Sequence, residues 1–381
     1  MKIVIFQPML KKYRLDFFEQ LNQTLVANNH ELRVVVGTPW KEERERNDTA
    51  VVDTGYYFFE ESYWLFKNKI HILKNVLKHI FWADIIITEQ ANKHLHNYFL
   101  LLLSYLNIRP FAYWGHGMNR QIDPNSFRER FKRYLAIRPD WWFAYTESVC
   151  EYLTNIGFDK NRISVLNNSI NTLRFKQSIN SLTSQDILTF KDNHKIGYNT
   201  KIGLFCGSLH QDKDIHFLLE SAVYIHQTIP DFLLLIGGSG FHKELVESYT
   251  KKYDFIIYLG RLDGHKKNLA FLCADVFLIP CMVGLGIIDA FTTGLPLITT
   301  KQNTHSPEID YLKPNYNGII TDYSLQAYAE AVISVLNSNT LLEFLKSNAL
   351  SSSNLYTIEN MVKNFVTGLD KFIADKYPLS S

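Results

Sequence analysis

The sequence contains few cysteines, and those present follow no regular spacing. Its 381 residues include four, Cys150, Cys206, Cys273 and Cys281, with no CxxC pair and no histidine partners nearby. This scatter argues against a disulfide framework and against a zinc site, and it is typical of reduced thiols in a cytosolic protein. We therefore expect a cytoplasmic protein without a structural metal.

Long apolar runs are missing as well. In the N-terminal stretch MKIVIFQPMLKKYR a single lysine precedes a short apolar run that Gln7 and Pro8 interrupt, which predicts a buried first strand rather than a signal peptide. The most apolar stretch, YFLLLLSYL at 98–106, is roughly half of the ~20 residues that a membrane-spanning helix needs. No membrane span is predicted.

The sequence also lacks the GxGxxG motif of dinucleotide-binding domains. No such motif opens the first strand, and the glycine-rich LLLIGGSG at 233–240 does not match it. This argues against a dinucleotide-dependent oxidoreductase.

Charge is nearly balanced overall, at +2, but it is unevenly spread. Residues 1–175 hold 23 Lys and Arg against 18 Asp and Glu, a difference of +5, and residues 176–381 hold 17 against 20, a difference of −3. Much of the excess lies at 120–138, where five cations interleave with aromatic residues: Arg128, Arg130, Lys132, Arg133 and Arg138. The spacing predicts an amphipathic surface helix with solvated charges, and the same stretch suits peripheral contact with anionic lipid on the inner face of the cytoplasmic membrane. No nucleic-acid motif accompanies it, so we expect no nucleic-acid partner.

Short apolar runs alternate with amphipathic segments along the chain. The runs predict buried parallel strands at 2–6, 31–37, 84–88, 110–114, 141–146 and 162–166, and again at 201–207, 232–238, 255–260, 275–280 and 295–300. The alternation predicts an α/β fold of two doubly wound, Rossmann-like domains, each a parallel sheet with helices on both faces. Because such sheets bind ligands beyond the carboxyl ends of their strands, we expect the two domains to face each other across a cleft.

The predicted boundaries are residues 1–175 for the first domain and 200–357 for the second. Residues 176–199 are polar and without a clear period, and we assign them to a linker. Residues 358–381 begin with apolar side chains at helical spacing, which predicts a terminal helix that crosses back to the first domain.

Two strand-to-helix junctions in the second half carry residue types suited to a nucleotide. In CGSLHQDK at 206–213, a glycine turn leads to a helix start near Lys213; free amides, the helix dipole and an ammonium suit a phosphate, and a solvated lysine is the alternative. In VGLGIID at 283–289, Gly284 and Gly286 let backbone amides approach a ligand. Asp289 can accept two hydrogen bonds from a ribose diol, or merely complement the helix dipole.

The stretch AYWGHGMNR at 112–120 sets His116 between two glycines just after a predicted strand. A strand end with a flexible turn is a common place for a binding residue. A structural turn histidine is the alternative.

These segments, in this order and at these intervals, resemble the retaining GT-B glycosyltransferases of family 4. The likeness rests on CGSLHQDK, LLLIGGSG, GLGIIDAFTTGLPLIT and HSPEIDYLKPNYNG in the second half, and on YWGHG, AYTESVCEYLTNIGFD and ISVLNNSIN in the first. It covers essentially the whole chain. It implies sugar transfer from a nucleotide-sugar with retention at the anomeric carbon, without a metal or other cofactor, because the departing phosphate takes the acceptor's proton and the protein mainly stabilises negative charge.

The resemblance also implies roles for individual residues. Lys213 would face the diphosphate, Asp289 would hold the ribose hydroxyls, and His116 would contact the transferred sugar, so that His116 and Lys213 are the catalytic candidates. The donor-binding candidates are Gly207, Ser208, Arg261, Gly284, Leu285, Gly286, Asp289 and Glu308. Of these, Glu308 equally suits ordinary capping, because it follows a proline at a predicted helix start.

Three positions depart from the family's pattern. Ser208 stands where the family usually has an arginine, so one phosphate charge is missing or comes from elsewhere, for which Arg261 is the candidate. Asp289 stands at the second of two family glutamates, and CMVGLG offers no acid at the first. The first-strand loop QPMLKKYR lacks a glycine pair, which favours acceptor contacts there, with Tyr13 and Arg14 as candidates.

The leading hypothesis is a hexosyltransferase-type enzyme that moves a sugar from a UDP-sugar to a lipid-linked or lipid-anchored glycan, as in bacterial lipopolysaccharide, O-antigen or capsule assembly. Two alternatives stay open. One is another GT-B enzyme, such as a nucleotide-sugar epimerase or a phosphorylase. The other is a catalytically silent GT-B subunit that binds a partner glycosyltransferase, suggested by Ser208 and by the missing first acid.

Overall fold

The computed structural model describes residues 1–45, 48–117 and 127–378. The chain forms two compact units, one of Met1–Ile170 with Ile358–Ser381 and one of Asn171–Thr357. Part of the basic stretch 120–138 therefore lies outside the described residues. None of the helices in the described ranges has the length and hydropathy that crossing a bilayer requires.

The first unit is built on a parallel sheet of seven strands in the order β3-β2-β1-β6-β7-β8-β9, beside a separate antiparallel hairpin of β4 and β5. The strands are β1 (Lys2–Gln7), β2 (Glu31–Gly37), β3 (Tyr57–Glu60), β4 (Ser62–Leu65), β5 (Ile70–Leu73), β6 (Ile85–Glu89), β7 (Phe111–Gly115), β8 (Trp141–Ala144) and β9 (Ile163–Val165). The helices are α1 (Leu15–Ala27), α2 (Lys41–Glu45), α3 (Val76–Trp82), α4 (Leu95–Tyr105), α5 (Phe127–Ala136) and α6 (Glu147–Asn155).

Both faces of the first sheet are buried, which explains the continuous apolar runs. Along β1, Ile3 and Ile5 point into one core cluster with residues of α1. Val4 and Phe6 point into a second cluster with residues of α3 and α4. A strand covered on both faces needs apolar side chains at successive positions rather than at alternate ones.

The second unit repeats this architecture with a parallel sheet of six strands in the order β12-β11-β10-β13-β14-β15. The strands are β10 (Lys201–Cys206), β11 (Phe232–Gly237), β12 (Ile256–Gly260), β13 (Val276–Leu278), β14 (Leu297–Thr300) and β15 (Gly318–Thr321). The helices are α7 (Thr172–Asn180), α8 (Ser184–Asn193), α9 (Ile215–Thr228), α10 (Lys243–Lys252), α11 (Gly264–Cys273), α12 (Gly286–Thr292), α13 (Leu325–Asn337) and α14 (Asn339–Ser353).

Residues 176–199 are not the linker that their polarity indicates, because most of them lie in α7 and α8. A capping box starts α8, with Thr183 and Asp186 each binding the other's backbone. The two helices pack on the second unit, where Phe175 of α7 lies 5.7 Å from Phe271 between ring centroids. Local caps and a few apolar anchors therefore order a segment whose composition is mostly polar.

The terminal helix α15 (Ile358–Lys376) completes the core of the first unit. Phe365 stacks on Phe143 of β8, with ring centroids 4.5 Å apart and an interplanar angle of 12°. Gly368 permits the close approach to β9, because a Cβ atom there would lie 2.3 Å from Ser164 Oγ. The chain thus returns from the second unit to cover the sheet on which it began.

Candidate functional site

The second sheet has its topological switch point between β10 and β13. Chain connections run from β10 towards β11 on one side and from β13 towards β14 on the other, so the loops leaving the two central strands diverge. Gly207, Ser208 and Lys213 follow β10, and residues 279–289 follow β13. Most of the predicted donor residues therefore lie at the position where doubly wound sheets bind ligands.

The loop after β10 is held by the glycine-rich loop after β11. The Gly207 amide donates to the Gly237 carbonyl at 3.0 Å, and the Leu209 amide donates to the Ser239 carbonyl at 2.9 Å. Gly238 has a φ of +156°, and a Cβ atom there would lie 1.9 Å from the Gly207 carbonyl oxygen. The glycines of LLLIGGSG thus let the two loops pack together. Ser208, in the loop after β10, is exposed to solvent.

Lys213 reaches across the switch point. It ends a 3-10 helix, Gln211–Lys213, and its ammonium donates to the Met282 carbonyl in the loop after β13. Burial lowers the pKa of Lys213, and the nearby Asp212, Cys281 and Glu308 oppose that shift. Lys213 is therefore a half-buried cation that connects the two loops flanking the switch point.

A buried histidine fixes the loop after β13. His305 Nδ1 accepts a hydrogen bond from the Val283 amide at 3.0 Å, and its Nε2 lies 2.8 Å from the Thr300 carbonyl oxygen. The neutral tautomer with its proton on Nε2 satisfies both contacts. The backbone of Gly284, Leu285 and Gly286, which leads into α12, is thereby held beside the switch point.

Asp289 forms an ion pair that the sequence analysis did not identify. Lys267 Nζ lies 2.7 Å from Asp289 Oδ2, and the two side chains are 25% and 13% exposed. Burial lowers the pKa of Lys267, but the ion pair outweighs it and raises that pKa overall. The Lys267 ammonium also lies 4.8 Å from the Phe175 ring centroid. No pattern in GHKKNL singles out Lys267, because the pair joins two helices that are distant in sequence.

Glu308 and Arg261 lie in contrasting surroundings. Glu308 is buried in the 3-10 helix Pro307–Tyr311, and it is close enough to Lys213 to raise the pKa of that lysine. Arg261 is exposed directly after β12, two strands away from β10 in the sheet, which is about 10 Å at ordinary strand spacing. The cation that contacts the predicted ribose carboxylate is Lys267, and a contact of Arg261 with a phosphate stays a prediction.

In the first unit, His116 follows β7 at the carboxyl edge of the sheet. Its side chain is exposed, and its ring lies edge-on to Tyr145 with centroids 4.4 Å apart. Gly117 has a φ of +69°, and a Cβ atom there would lie 3.1 Å from Val149 and 3.4 Å from Tyr152. Glycine at 117 accommodates both the left-handed backbone and the close packing, so the turn leaves the imidazole at the surface.

The structure changes the role expected for Arg14. Its residue exposure is 3%, its guanidinium donates to Tyr145 Oη at 3.1 Å, and it lies 5.0 Å from the Trp114 ring centroid. Such burial does not fit direct contact with an acceptor and instead makes Arg14 a support for Tyr145, on which His116 rests. Tyr13, in the same 3-10 helix Lys12–Arg14, is 40% exposed and is available for contact.

Glu89 is a second residue that the sequence analysis missed. It ends β6, pairs with Trp114 in the register of β7, and has its side chain 39% exposed. Partial desolvation raises the pKa of its carboxyl, but His94, Lys93 and His116 outweigh this effect and lower the pKa to about 2. A carboxylate that is ionised at physiological pH therefore lies on the strand next to the one that presents His116.

Behind Glu89 lies a buried group of histidines. The Nδ1 atoms of His71 and His94 are 2.7 Å apart, and His94 Nε2 lies 3.9 Å from Glu89 Oε1. Burial, His94 and Lys93 lower the pKa of His71 to about 3, so that it is neutral at physiological pH. Across the described residues, no group of three or more His, Cys, Asp or Glu side chains is arranged to hold a metal ion.

Solved structures of similar fold cover nearly the whole chain. Anabaena HepE, crystallised with UDP and glucose, has 14% identity and a TM-score of 0.67 over 97% of this chain and 99% of its own. A glycosyltransferase from Rickettsia africae has 16% identity and a TM-score of 0.70 over 100% and 99%. WaaG, a glycosyltransferase of lipopolysaccharide biosynthesis, has 13% identity and a TM-score of 0.63 over 96% and 98%. No curated protein is similar enough to count as a match.

Sequence matches to family models cover both units. Residues 17–174 match the model described as Glycosyltransferase Family 4, and residues 200–338 match the model described as Glycosyl transferases group 1. Together with the two Rossmann-like units, these matches define a GT-B glycosyltransferase. The chain belongs to the group 1 glycosyltransferases and is a transferase.

Proposed function

We propose that the protein transfers a sugar from a UDP-sugar to a hydroxyl group of a glycan acceptor, with retention at the anomeric carbon. The observation that carries this proposal is the convergence of Lys213, the loop 281–286 and Asp289 on one switch point. Two proteins of similar fold support uridine as the base: HepE was crystallised with UDP and glucose, and a pneumococcal O-GlcNAc transferase with UDP and GlcNAc.

The residues of the second unit would then act on the leaving group. Lys213 supplies positive charge at the diphosphate, and Asp289 accepts hydrogen bonds from the ribose hydroxyls while Lys267 balances its charge. The acceptor oxygen bonds to the anomeric carbon as the bond from that carbon to the phosphate oxygen breaks on the same face. The acceptor's proton passes to the departing phosphate oxygen, so the step uses no carboxylate nucleophile and, with ammonium groups present, no metal ion.

The acceptor would be a lipid-linked or lipid-anchored glycan of a bacterial surface polysaccharide, approached at the inner face of the cytoplasmic membrane. The fold similarity to WaaG supports this class of pathway. Helix α5 supports membrane contact, because it combines cations with apolar side chains such as Phe131 and Tyr134, which are 40% and 55% exposed. Vesicles of phosphatidylglycerol should therefore sediment the protein, vesicles of phosphatidylcholine should not, and Arg130→Glu should weaken the binding.

Binding of nucleotide-sugars tests the donor site directly. We would titrate the protein with UDP-, GDP-, ADP- and CMP-sugars by saturation-transfer NMR, and repeat the series with Lys213→Ala and with the exposed Lys251→Ala as the matched control. Selective binding of a UDP-sugar that only Lys213→Ala weakens supports the proposal. Binding of a different base overturns the choice of uridine, and absence of any donor binding favours a silent subunit. The anomeric configuration of the product, measured by proton NMR, tests retention separately.

A further inference from the structure

A cavity of about 560 Å³ opens in the first unit, beyond the carboxyl end of β6. Four segments form its walls: the turn of the β4–β5 hairpin, the residues between β6 and α4, one side of α4 and one side of α5. The lining residues that matter for its chemistry are Lys69, Asn92, Lys93, Tyr98, Phe131 and Lys132. Its volume lies in the range of small-molecule sites, roughly 300–1,000 Å³.

Lys93 is a cation held beside two aromatic rings, and the carboxylate of Glu89 interacts with it electrostatically without forming an ion pair. Its ammonium lies 5.3 Å from the Trp40 ring centroid and 5.4 Å from that of Trp64, and the residue is half-buried. Among the residues that the structure describes, no carboxylate oxygen lies within 4.0 Å of its Nζ. Two indole faces attract the ammonium without neutralising it, so its positive charge remains available to an anionic ligand.

A second lysine approaches the same cavity from the hairpin. Lys69 is exposed, and in the described part of the chain it too has no carboxylate within 4.0 Å of its Nζ. Lys132 of α5 adds a third positive charge to the lining. The lining also contains Glu129, whose residue exposure is 5%. The cavity is therefore positively charged overall, by three lysines against one carboxylate.

The remaining lining combines a fixed polar wall with an apolar one. Tyr98 Oη donates to the Asn92 carbonyl at 2.9 Å, which ties the loop after β6 to α4. Phe131 presents a 40% exposed aromatic face from α5. Cations beside an apolar surface suit a phosphate group that is esterified to a larger, partly apolar molecule.

The cavity lies next to the predicted reaction edge of the first unit. The Gln90 amide, at the start of the lining segment after β6, donates to the Trp114 carbonyl at 3.2 Å. Trp114 is two residues before His116 along the chain. A ligand in the cavity would therefore be anchored beside the turn that presents the imidazole.

We propose that this cavity binds a phosphate ester of the acceptor, through Lys69, Lys93 and Lys132. The proposal rests on the proposed glycosyl transfer and deepens it: the acceptor carries a phosphate or diphosphate close to the hydroxyl that receives the sugar. The phosphate belongs either to a lipid diphosphate or to a phosphorylated sugar, and both present the same tetrahedral anion to the lysines.

The test measures binding of inorganic pyrophosphate and of geranyl diphosphate by isothermal titration calorimetry, with excess UDP present to occupy the second unit. Lys93→Gln is compared with Lys67→Gln, which removes an exposed lysine of the same hairpin outside the lining. We expect Lys93→Gln to weaken pyrophosphate binding about tenfold or more, the effect of losing one charged hydrogen bond, and Lys67→Gln to change it less than about twofold. Equal losses in both variants would overturn the proposal.

A residue-level readout covers the case in which Lys93→Gln fails to fold. Acetylation of the wild-type protein, followed by mass spectrometry, should show Lys69 and Lys93 protected by pyrophosphate and Lys67 unprotected. Modification of all three lysines at unchanged rates would overturn the proposal. Tighter binding of geranyl diphosphate than of pyrophosphate supports the lipid source, and equal binding supports a phosphorylated sugar. UDP binding to the second unit is titrated independently, so failure of the proposed donor function would appear separately.

Discussion

The ammonium of Lys267 lies 2.7 Å from a carboxylate oxygen of Asp289, and each side chain comes from the first turns of a helix that starts at the carboxyl edge of the second sheet. The pair means that the charge of the predicted ribose carboxylate is balanced by a positive charge of the protein itself. A ribose diol then adds hydrogen bonds to an oriented carboxylate and does not need to desolvate a lone one.

Asp289→Ala should lower the affinity for UDP by about tenfold to a hundredfold, because a charged hydrogen-bond acceptor for the ribose is lost. The measurement is a calorimetric titration of UDP and of 2′,3′-dideoxy-UDP against both proteins. The wild type should prefer UDP, and the variant should bind the two ligands almost equally. A variant that still discriminates between them would show that Asp289 does not contact the ribose.

Arg14 and Tyr13 are neighbours in sequence, but substitution of Arg14 should cost much more stability than substitution of Tyr13. Arg14→Met removes a buried guanidinium that donates to Tyr145 and packs on Trp114, and should reduce the free energy of unfolding by roughly 2–4 kcal/mol. Tyr13→Ala removes an exposed ring and should change it by less than about 0.5 kcal/mol. Urea titration followed by tryptophan fluorescence is suited to this comparison, because all six tryptophans lie within the first 142 residues. Equal losses would mean that Arg14 is not a structural support.

The strands that the sequence predicts most directly are those buried on both faces. β1, β2 and β6 are short continuous apolar runs, and all three are found within a residue or two of their predicted bounds. The hairpin β4–β5 was missed because its strands, such as SYWL, mix polar and apolar residues and gain their order from contacts such as Trp64 stacking on His71 at 4.2 Å. Helices α7 and α8 were missed because the composition of 176–199 is mostly polar. The caps of α8 stabilise a helix there despite that composition.

At the candidate sites, the sequence identifies residues that follow strands and misses those that depend on two elements meeting. Lys213, Asp289 and His116 stand next to glycine turns after apolar runs, a visible local pattern. Lys267 becomes relevant only because its side chain reaches from α11 to Asp289 of α12. Glu89 becomes relevant only because β6 pairs with β7 and places it beside Trp114. The pairing register of two strands cannot be predicted from a single sequence.

Acid should destabilise the first unit through its buried histidines. The pKa of His71 is lowered to about 3 by burial, His94 and Lys93, whereas a histidine in the unfolded chain has an ordinary pKa near 6.5. Between these values the unfolded state binds the additional proton, so stability is complete above pH 6.5 and falls as the pH decreases towards 3. At about 1.36 kcal/mol per pH unit, protonation of His71 lowers the free energy of unfolding by up to about 2 kcal/mol between pH 6.5 and 5.0.

The His71→Gln variant provides the control, because glutamine keeps hydrogen-bonding capacity without titrating in this range. Unfolding by urea, monitored by tryptophan fluorescence at pH 7.5, 6.5 and 5.0, should give a steeper acid loss for the wild type than for His71→Gln. Parallel pH profiles would show that His71 is not the group responsible. Some residual acid loss is expected in the variant, because burial also lowers the pKa of His96.

Gly117→Ala should disturb the turn that presents His116, through both the backbone and the added methyl group. The φ of +69° costs a non-glycine residue about 1 kcal/mol or more, and the Cβ atom would press on Val149 at 3.1 Å. Gly157→Ala is the matched control in the same unit, since its φ is +100° and a Cβ atom there meets nothing within 4 Å. Both variants should lose stability, but only Gly117→Ala should lower the affinity for a UDP-sugar relative to UDP, because only that turn carries the imidazole proposed to contact the transferred sugar. If Gly117→Ala keeps the wild-type ratio of the two affinities while losing stability, the glycines around His116 serve packing alone, and the donor sugar is held from the second unit.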